Sequence, residues 1–268
     1  MKPVAELIER AALADLHAAA DEELAEALGL QALVIDGALV SIASELPPSA
    51  IIVNRTVGLG LEQPADEETL QRVIDSYREA GVSSYFVHCH PQAQPASLVS
   101  QLEQRGFKRS RPWQQFSRGP EPLPTLVSDL KVREIDQDHA DDFALIACEA
   151  FDLGDDAVPW LACLPGRDNW HVFMSFDGDT PIGAGALYIQ GQYAWAEFGA
   201  TAPEFRHRGS QALVLAKRVQ YAIDAGCSLV MSCTGEEVPG DTQHSYKNML
   251  RLGFSEGAEI DNLEPVGN

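Results

Sequence analysis

Basic residues are scarce in this chain. Its 268 residues carry 19 Lys and Arg against 40 Asp and Glu, a formal net charge of −21. That sign disfavours nucleic acid and anionic membranes as partners, because both select cationic surface. It suits a cationic or amine-bearing ligand, and equally a solubility or salt-adaptation origin. Long apolar runs are missing too. No stretch reaches the ~18 residues that would suggest a membrane span, and Met1–Arg10 lacks the basic-then-apolar order of a secretion signal. Only five cysteines are present, with no C-x-x-C pair. This argues against a disulfide scaffold and for a reducing compartment, so a cytoplasmic location is expected. Cys148, Cys163, Cys227 and Cys233 read as small core residues. A convincing metal motif is also absent. His88 and His90 would share one face of a strand, but no third ligand stands at a suggestive spacing, and no metal is expected. The acidic run Asp152–Asp156 is too irregular for a calcium loop. It reads as a solvated loop or as the border of an acceptor site.

What is present is an ordinary globular composition, 45% apolar, with a repeat. Gln104-Arg105-Gly106-Phe107 echoes Arg251-Leu252-Gly253-Phe254 one domain length later. Between the two lies Gly119-Pro120-Glu121-Pro122-Leu123-Pro124, which reads as a stiff linker. The expected division is therefore 1–122 and 123–268.

In the first half the pattern predicts a helix over 4–28 and strands over 32–35 and 38–43, joined by Asp36-Gly37 as a hairpin turn. A strand over 51–57 follows, then a helix opened by Asp66-Glu67-Glu68 and stopped by Gly81. A strand over 83–87, a helix over 96–105 and strand character over 107–117 complete it. The second half predicts a strand over 129–135, a helix over 138–151, and two strands, 172–176 and 182–189, around Asp177-Gly178-Asp179. A strand over 193–201 leads to a helix that Gly226 closes, then a strand over 228–233, a loop over 235–241, a helix over 243–251 and a last strand.

The segment richest in chemistry is Arg206-His207-Arg208-Gly209-Ser210-Gln211, between the strand ending in Gly199-Ala200-Thr201 and a helix with apolar residues at 212, 216, 219 and 223. A glycine at the mouth of a helix lets several N–H groups point outward together. The helix dipole adds positive potential there, which makes an anion site. A surface turn with a few basic residues would have the same spacing.

This segment resembles the GNAT superfamily of acyl-CoA-dependent N-acetyltransferases, over roughly Leu126 to Phe254. The family's pyrophosphate motif, Q/R-x-x-G-x-G/A, takes Arg206 in its first position and Gly209 in its fourth, while Gln211 departs from the usual Gly or Ala. Pro203-Glu204-Phe205 matches the run ahead of the loop, and Leu252-Gly253-Phe254 the family's closing Leu-Gly-Phe. The resemblance implies an α/β (α+β) fold with a mixed, mostly antiparallel sheet flanked by helices. With the internal repeat it implies a tandem of two such domains. The first half has no basic loop near Asn54–Gly60 and is expected to lack coenzyme binding.

The resemblance further implies acetyl-CoA as cosubstrate. Gly199, Ala200 and Thr201 would pair with the pantetheine arm, and N–H groups among Arg206, His207, Arg208, Gly209, Ser210, Gln211 and Ala212 would hold the pyrophosphate. Asn248, in Ser-x-x-Asn from Ser245, would lie near the coenzyme arm. Glu197, on the same strand two residues before Gly199, is the candidate base, and Trp195 a pocket wall. A glutamate merely paired with an arginine is the alternative. The family's tyrosine before Leu-Gly-Phe is replaced by Met249, which leaves Tyr246, one turn earlier, as the candidate acid. Two functions remain open. One is direct acetyl transfer to a primary amine of a small molecule; the other is a non-catalytic acyl-CoA-binding or interaction module.

Overall fold

A computed structural model describes residues 3–236 and 243–267. In chain order the elements are α1 (Val4–His17), α2 (Glu22–Ala27), β1 (Leu30–Ile35), β2 (Ala38–Ala43), β3 (Arg55–Val57), α3 (Glu67–Glu79), β4 (Phe86–Cys89), α4 (Leu98–Gln104), β5 (Phe107–Arg109) and β6 (Trp113–Arg118). Then follow β7 (Lys131–Ile135), α5 (Ala140–Ala150), α6 (Val158–Leu161), β8 (Trp170–Asp177), β9 (Thr180–Gln190), β10 (Tyr193–Thr201), α7 (Ser210–Asp224), β11 (Leu229–Gly235), α8 (His244–Arg251) and β12 (Ser255–Pro265).

The chain forms two compact units. The first holds 3–115, 233–236 and 257–267; the second holds 116–232 and 243–256. A single cut near residue 122 does not describe this division. The last strand returns to the first unit, where β12 pairs antiparallel with β4 (Asn262 opposite His88) and with β5 (Glu264 opposite Lys108). Nor is 119–124 a free linker: Leu123 and Leu126 pack on the core of the second unit.

In the first unit β2 pairs antiparallel with β1 and with β3, and β3 pairs with β4 in parallel. Asp36 (φ +48°) and Gly37 (φ +87°) make the two-residue turn between β1 and β2, the twist-matched form that needs both residues left-handed. Ile42, Leu70, Tyr77, Val87, Leu98 and Leu263 fill the core under α3 and α4. Three expectations shift here. The first helix stops at His17 and restarts after Asp21, whose carboxylate caps α2 by accepting from Leu24 N–H at 2.9 Å. Strand β3 covers only 55–57, because Val53 and Asn54 bond back to Ala50 O in a turn. Asn54 supplies the missing ladder through its side chain, which bonds Ala43 N and O at 2.8 and 3.3 Å. Strand character over 107–117 splits in two around Pro112, which has no N–H to give.

In the second unit β7, β8, β9 and β10 are antiparallel in sequence, and β10 pairs with β11 in parallel. Helix α7 covers one face of β8, β9 and β10, and α5 covers β9 and β10. Leu187, Ala194 and Ala196 point at Leu215, Val219 and Ala222 of α7. By strand alternation, Trp195 and Glu197 point to the opposite face. Gly226 ends α7 at φ +85°, as its position implied. Among the described residues no helix is long and apolar enough to cross a membrane.

Candidate functional site

Strand β10 is irregular where small residues replace large ones. Its register with β9 shifts between Glu197 (opposite Ala186) and Ala200 (opposite Ala184), so Phe198 and Gly199 together oppose Gly185. Phe198 sits at φ +51°. This is a β-bulge, which bends the strand and interrupts its ladder. Pairing with β11 spans only Tyr193–Trp195, and the Ser232 hydroxyl donates to Ala196 O at 2.8 Å just beyond. Past that point Gly199, Ala200 and Thr201 have no strand-register partner on the β11 side among the described residues. An edge of this kind accepts an extended ligand as an added strand.

The bulge rests on a buried arginine. Arg218 of α7 is 3% exposed, and its Nη1 donates to Ala186 O at 2.9 Å and Glu197 O at 2.8 Å, carbonyls flanking the bulge. Two glycines make room for it. A β-carbon at Gly185 would lie 2.7 Å from the guanidinium carbon, and one at Gly199 would lie 3.0 Å from Nη2. Burial pulls the Arg218 pKa down to about 10, and the Glu197 charge opposes that pull, so the guanidinium stays cationic at neutral pH.

Glu197 is half-buried, and its carboxylate accepts the indole N–H of the fully buried Trp195. The expectation that Glu197 and Gly199 share a face fails, because the bulge between them breaks the alternation: Gly199 points at Arg218 and Glu197 back toward Trp195. The expected shared face of Glu197 and Trp195 holds.

The loop before α7 has the left-handed backbone and the uncapped helix start that its residues suggested. His207 (φ +65°) and Gly209 (φ +84°) are left-handed, and Gly209 is the N-terminal boundary residue of α7. An added β-carbon at Gly209 would touch nothing, so the dihedral, not space, selects glycine here. No side chain caps this end and no acid lies in the first turn. The first helical bond runs from Leu213 N–H to Gly209 O at 3.1 Å, so the N–H groups of Ser210, Gln211 and Ala212 precede it.

The side chains around them are sorted. Ser210 turns its hydroxyl inward, 2.7 Å from Ser175 Oγ and 3.2 Å from Thr201 Oγ1, which accounts for Gly183 beneath it. Arg208 pairs with Asp177 at 2.6 Å, both well exposed, so the pair adds little stability. Arg206 and His207 face solvent, and the His207 ring lies against His244, 5.1 Å between centroids. Gln211, the departure from Gly or Ala, joins α7 to α8: it donates to Ser245 Oγ at 2.8 Å and accepts from Asn248 Nδ2 at 3.0 Å. The fold thus brings Asn248 to the loop.

Tyr246 is placed differently. Its hydroxyl donates to Glu256, and its ring packs edge-on against Phe116 at 5.0 Å, in a core that includes Met249. These contacts anchor it as a core residue. Burial pushes the Cys148 thiol up to about 12, away from thiolate chemistry. Strand β4 ends at Cys89, so His88 and His90 do not stand on one strand face as expected. The loop expected over 235–241 lies, from residue 237 on, outside the described residues. Sequence reading missed Arg218 and the glycines above it. Two signals were there: an arginine on the apolar stripe of α7, and the run Gly183-Ala184-Gly185-Ala186 in a buried strand, which marks close approach.

No protein-family model and no curated protein matches the chain by sequence. Solved structures do match by shape. A GCN5-related N-acetyltransferase from Kribbella flavida superposes with a TM-score of 0.67 at 17% identity, covering 99% of this chain and 96% of that one. A GCN5-related N-acetyltransferase from Sphaerobacter thermophilus gives 0.58 at 11%, covering 84% and 79%. A conserved protein of unknown function from Staphylococcus epidermidis gives 0.57 at 12%, covering 89% and 96%. At such identities the likeness is one of fold: the chain has the fold of the GNAT acetyltransferases, mixed and mostly antiparallel sheet flanked by helices.

Proposed function

We propose that the protein is an N-acetyltransferase that moves the acetyl group of acetyl-CoA to a primary amine of a small molecule by direct attack on the thioester. The observation that carries this reading is the uncapped, acid-free N-terminus of α7 beside the open edge of β10. An N-terminus with free N–H donors suits a pyrophosphate, and the edge at Gly199–Thr201 suits the amide-bearing pantetheine arm. Arg206 adds cationic potential in a chain that otherwise has little.

In this scheme Gly209 lets the loop turn, and the N–H groups of Arg208 to Ala212 bind phosphate oxygens. Gln211 and Asn248 brace α8 beside the arm. A backbone N–H of Gly199–Thr201 polarises the thioester carbonyl. Glu197 takes the proton of the attacking amine, directly or through a water, and the Trp195 N–H orients its carboxylate. Tyr246 is tied to Glu256, so the thiolate leaves without it unless that bond opens.

That bond also favours a second reading, an acyl-CoA-binding module without turnover. Acetyl-CoA-dependent thiol release with a panel of small amines separates the two. Release that requires both amine and coenzyme supports the enzyme, and coenzyme binding with no release for any amine supports the module. We further propose that the first unit, which takes in most of 1–122 together with β12, is a GNAT-like half without coenzyme binding and that the protein works in the cytoplasm, on neither nucleic acid nor membrane. One acetyl-CoA per chain in calorimetric titration is expected; two equivalent sites would overturn the assignment.

A further inference from the structure

Sequence spacing offers His88 no third metal ligand, but the fold of the first unit offers two. Helix α1 lies against β2 and β3 and presents Glu6 and Glu9, one helical turn apart, toward β4. Glu6, Glu9, Arg55 and His88 are each at most 1% exposed. One potential ligand atom from each of Glu6, Glu9 and His88 lies within 4.8 Å of the others, and His88 Nδ1 is 4.0 Å from Glu9 Oε1.

Both ring nitrogens of His88 lack a hydrogen-bond partner among the described residues. An imidazole carries a lone pair or an N–H on each nitrogen, and burying both unmet costs free energy. The Trp113 ring packs T-shaped against His88, with centroids 4.9 Å apart. Two buried carboxyl groups lie beside the buried guanidinium of Arg55, whose Nη2 is 3.1 Å from Glu9 Oε1.

We propose that Glu6, Glu9 and His88 form a binding site for a divalent first-row transition cation of the zinc class. One imidazole and two carboxylates are donors suited to such an ion, and the imidazole disfavours magnesium and calcium. Ligand atoms around a four-coordinate zinc stand about 3.4 Å apart, so the observed separations need to close by about 1 Å, within reach of side-chain rotation. Outer partners are in place to orient the ligands: Gln115 Nε2 and Gly58 N–H bond the Glu6 carboxylate at 2.9 and 3.0 Å, and Arg55 holds Glu9. An ion there would fasten α1 to β4.

The test uses the full chain, dialysed against a chelator and titrated separately with Zn²⁺ and Co²⁺. One ion per chain is expected, with visible ligand-field bands for Co²⁺ and a rise in Tm with Zn²⁺. His88→Gln and Glu6→Gln should each weaken binding roughly 100-fold or more. His90→Gln should bind normally, because His90 accepts from Gln92 N–H outside the cluster. Circular dichroism of each variant identifies one that has unfolded. Absence of binding to the folded parent chain overturns the proposal. So does equal affinity in folded His88→Gln and Glu6→Gln, since the ion then lies elsewhere.

Discussion

Helices α3 and α7 hold the same place in the same order of strands. Each follows a strand paired antiparallel with its predecessor and leads to a strand paired with it in parallel. Their N-termini differ in charge. In the first unit Asp66 fills the end of α3, its carboxylate accepting from Thr69 N–H at 2.8 Å, and Glu67 and Glu68 follow in the first turn. In the second unit the end of α7 has a left-handed glycine, no cap and no acid. The same helix dipole is satisfied internally in one unit and left available in the other. A helix in this strand order can therefore present its first N–H groups or satisfy them internally through the choice of a few residues at one end.

The largest expected effect concerns the strand that feeds α7. Glu197→Gln should lower kcat by about two to four orders of magnitude with near-normal acetyl-CoA affinity. Steady-state kinetics beside equilibrium binding checks this, and full activity would move the base elsewhere. A second variant imports the acid of the first unit. Gly209→Asp puts a negative charge at the mouth of α7. At about 5 Å and an effective dielectric of about 20, a charge pair costs about 3 kcal/mol, so coenzyme affinity should fall roughly 100-fold or more. Unchanged affinity in calorimetry would remove the phosphate from this helix end.

Arg218→Met strips the bulge of its support and leaves Ala186 O and Glu197 O without their donor. The expected loss is about 1–3 kcal/mol of stability, read by urea denaturation, together with a lower kcat from the misaligned strand. A variant equal to the parent in both would mean the bulge holds itself. The smallest effect is that of Asp66→Ala. Hydrogen bonds from Thr69 hold the Asp66 carboxyl below its usual range. Its contribution to stability is therefore present above the unfolded-state pKa and is lost as pH falls through the lower folded value. Removing it should lower Tm slightly at pH 7 and leave Tm unchanged at a pH below both values. An equal loss at both would assign the effect to helix propensity instead.

Much of this was legible in the order of residues. Asp36-Gly37, Asp66, Gly209 and Gly226 each announce a dihedral or a cap that only a few residue types supply, and local rules read them correctly. Gln211 and Glu197 were found for what precedes and follows them, but their partners, Ser245, Asn248 and Trp195, depend on how elements pack. Local rules failed where a long-range contact outweighed local preference. The bulge at Phe198 reversed a face that simple alternation assigned, and Asn54 ended a strand by bonding its neighbour through its side chain.

By itself the sequence determined most of the element order, the acid-poor helix start of the second unit and the acid-rich one of the first, because capping, turns and helix dipoles act within a few residues. Only the tertiary structure decided that β12 completes the first unit, that Arg218 lies under Gly185 and Gly199, and that Glu6 and Glu9 meet His88. Arg218 stands 19 and 33 positions from Gly199 and Gly185, and His88 stands 79 and 82 from Glu9 and Glu6, separations that no local periodicity links. Burial is what joins them: a charged or polar group removed from water must find its partners wherever the packed chain brings them.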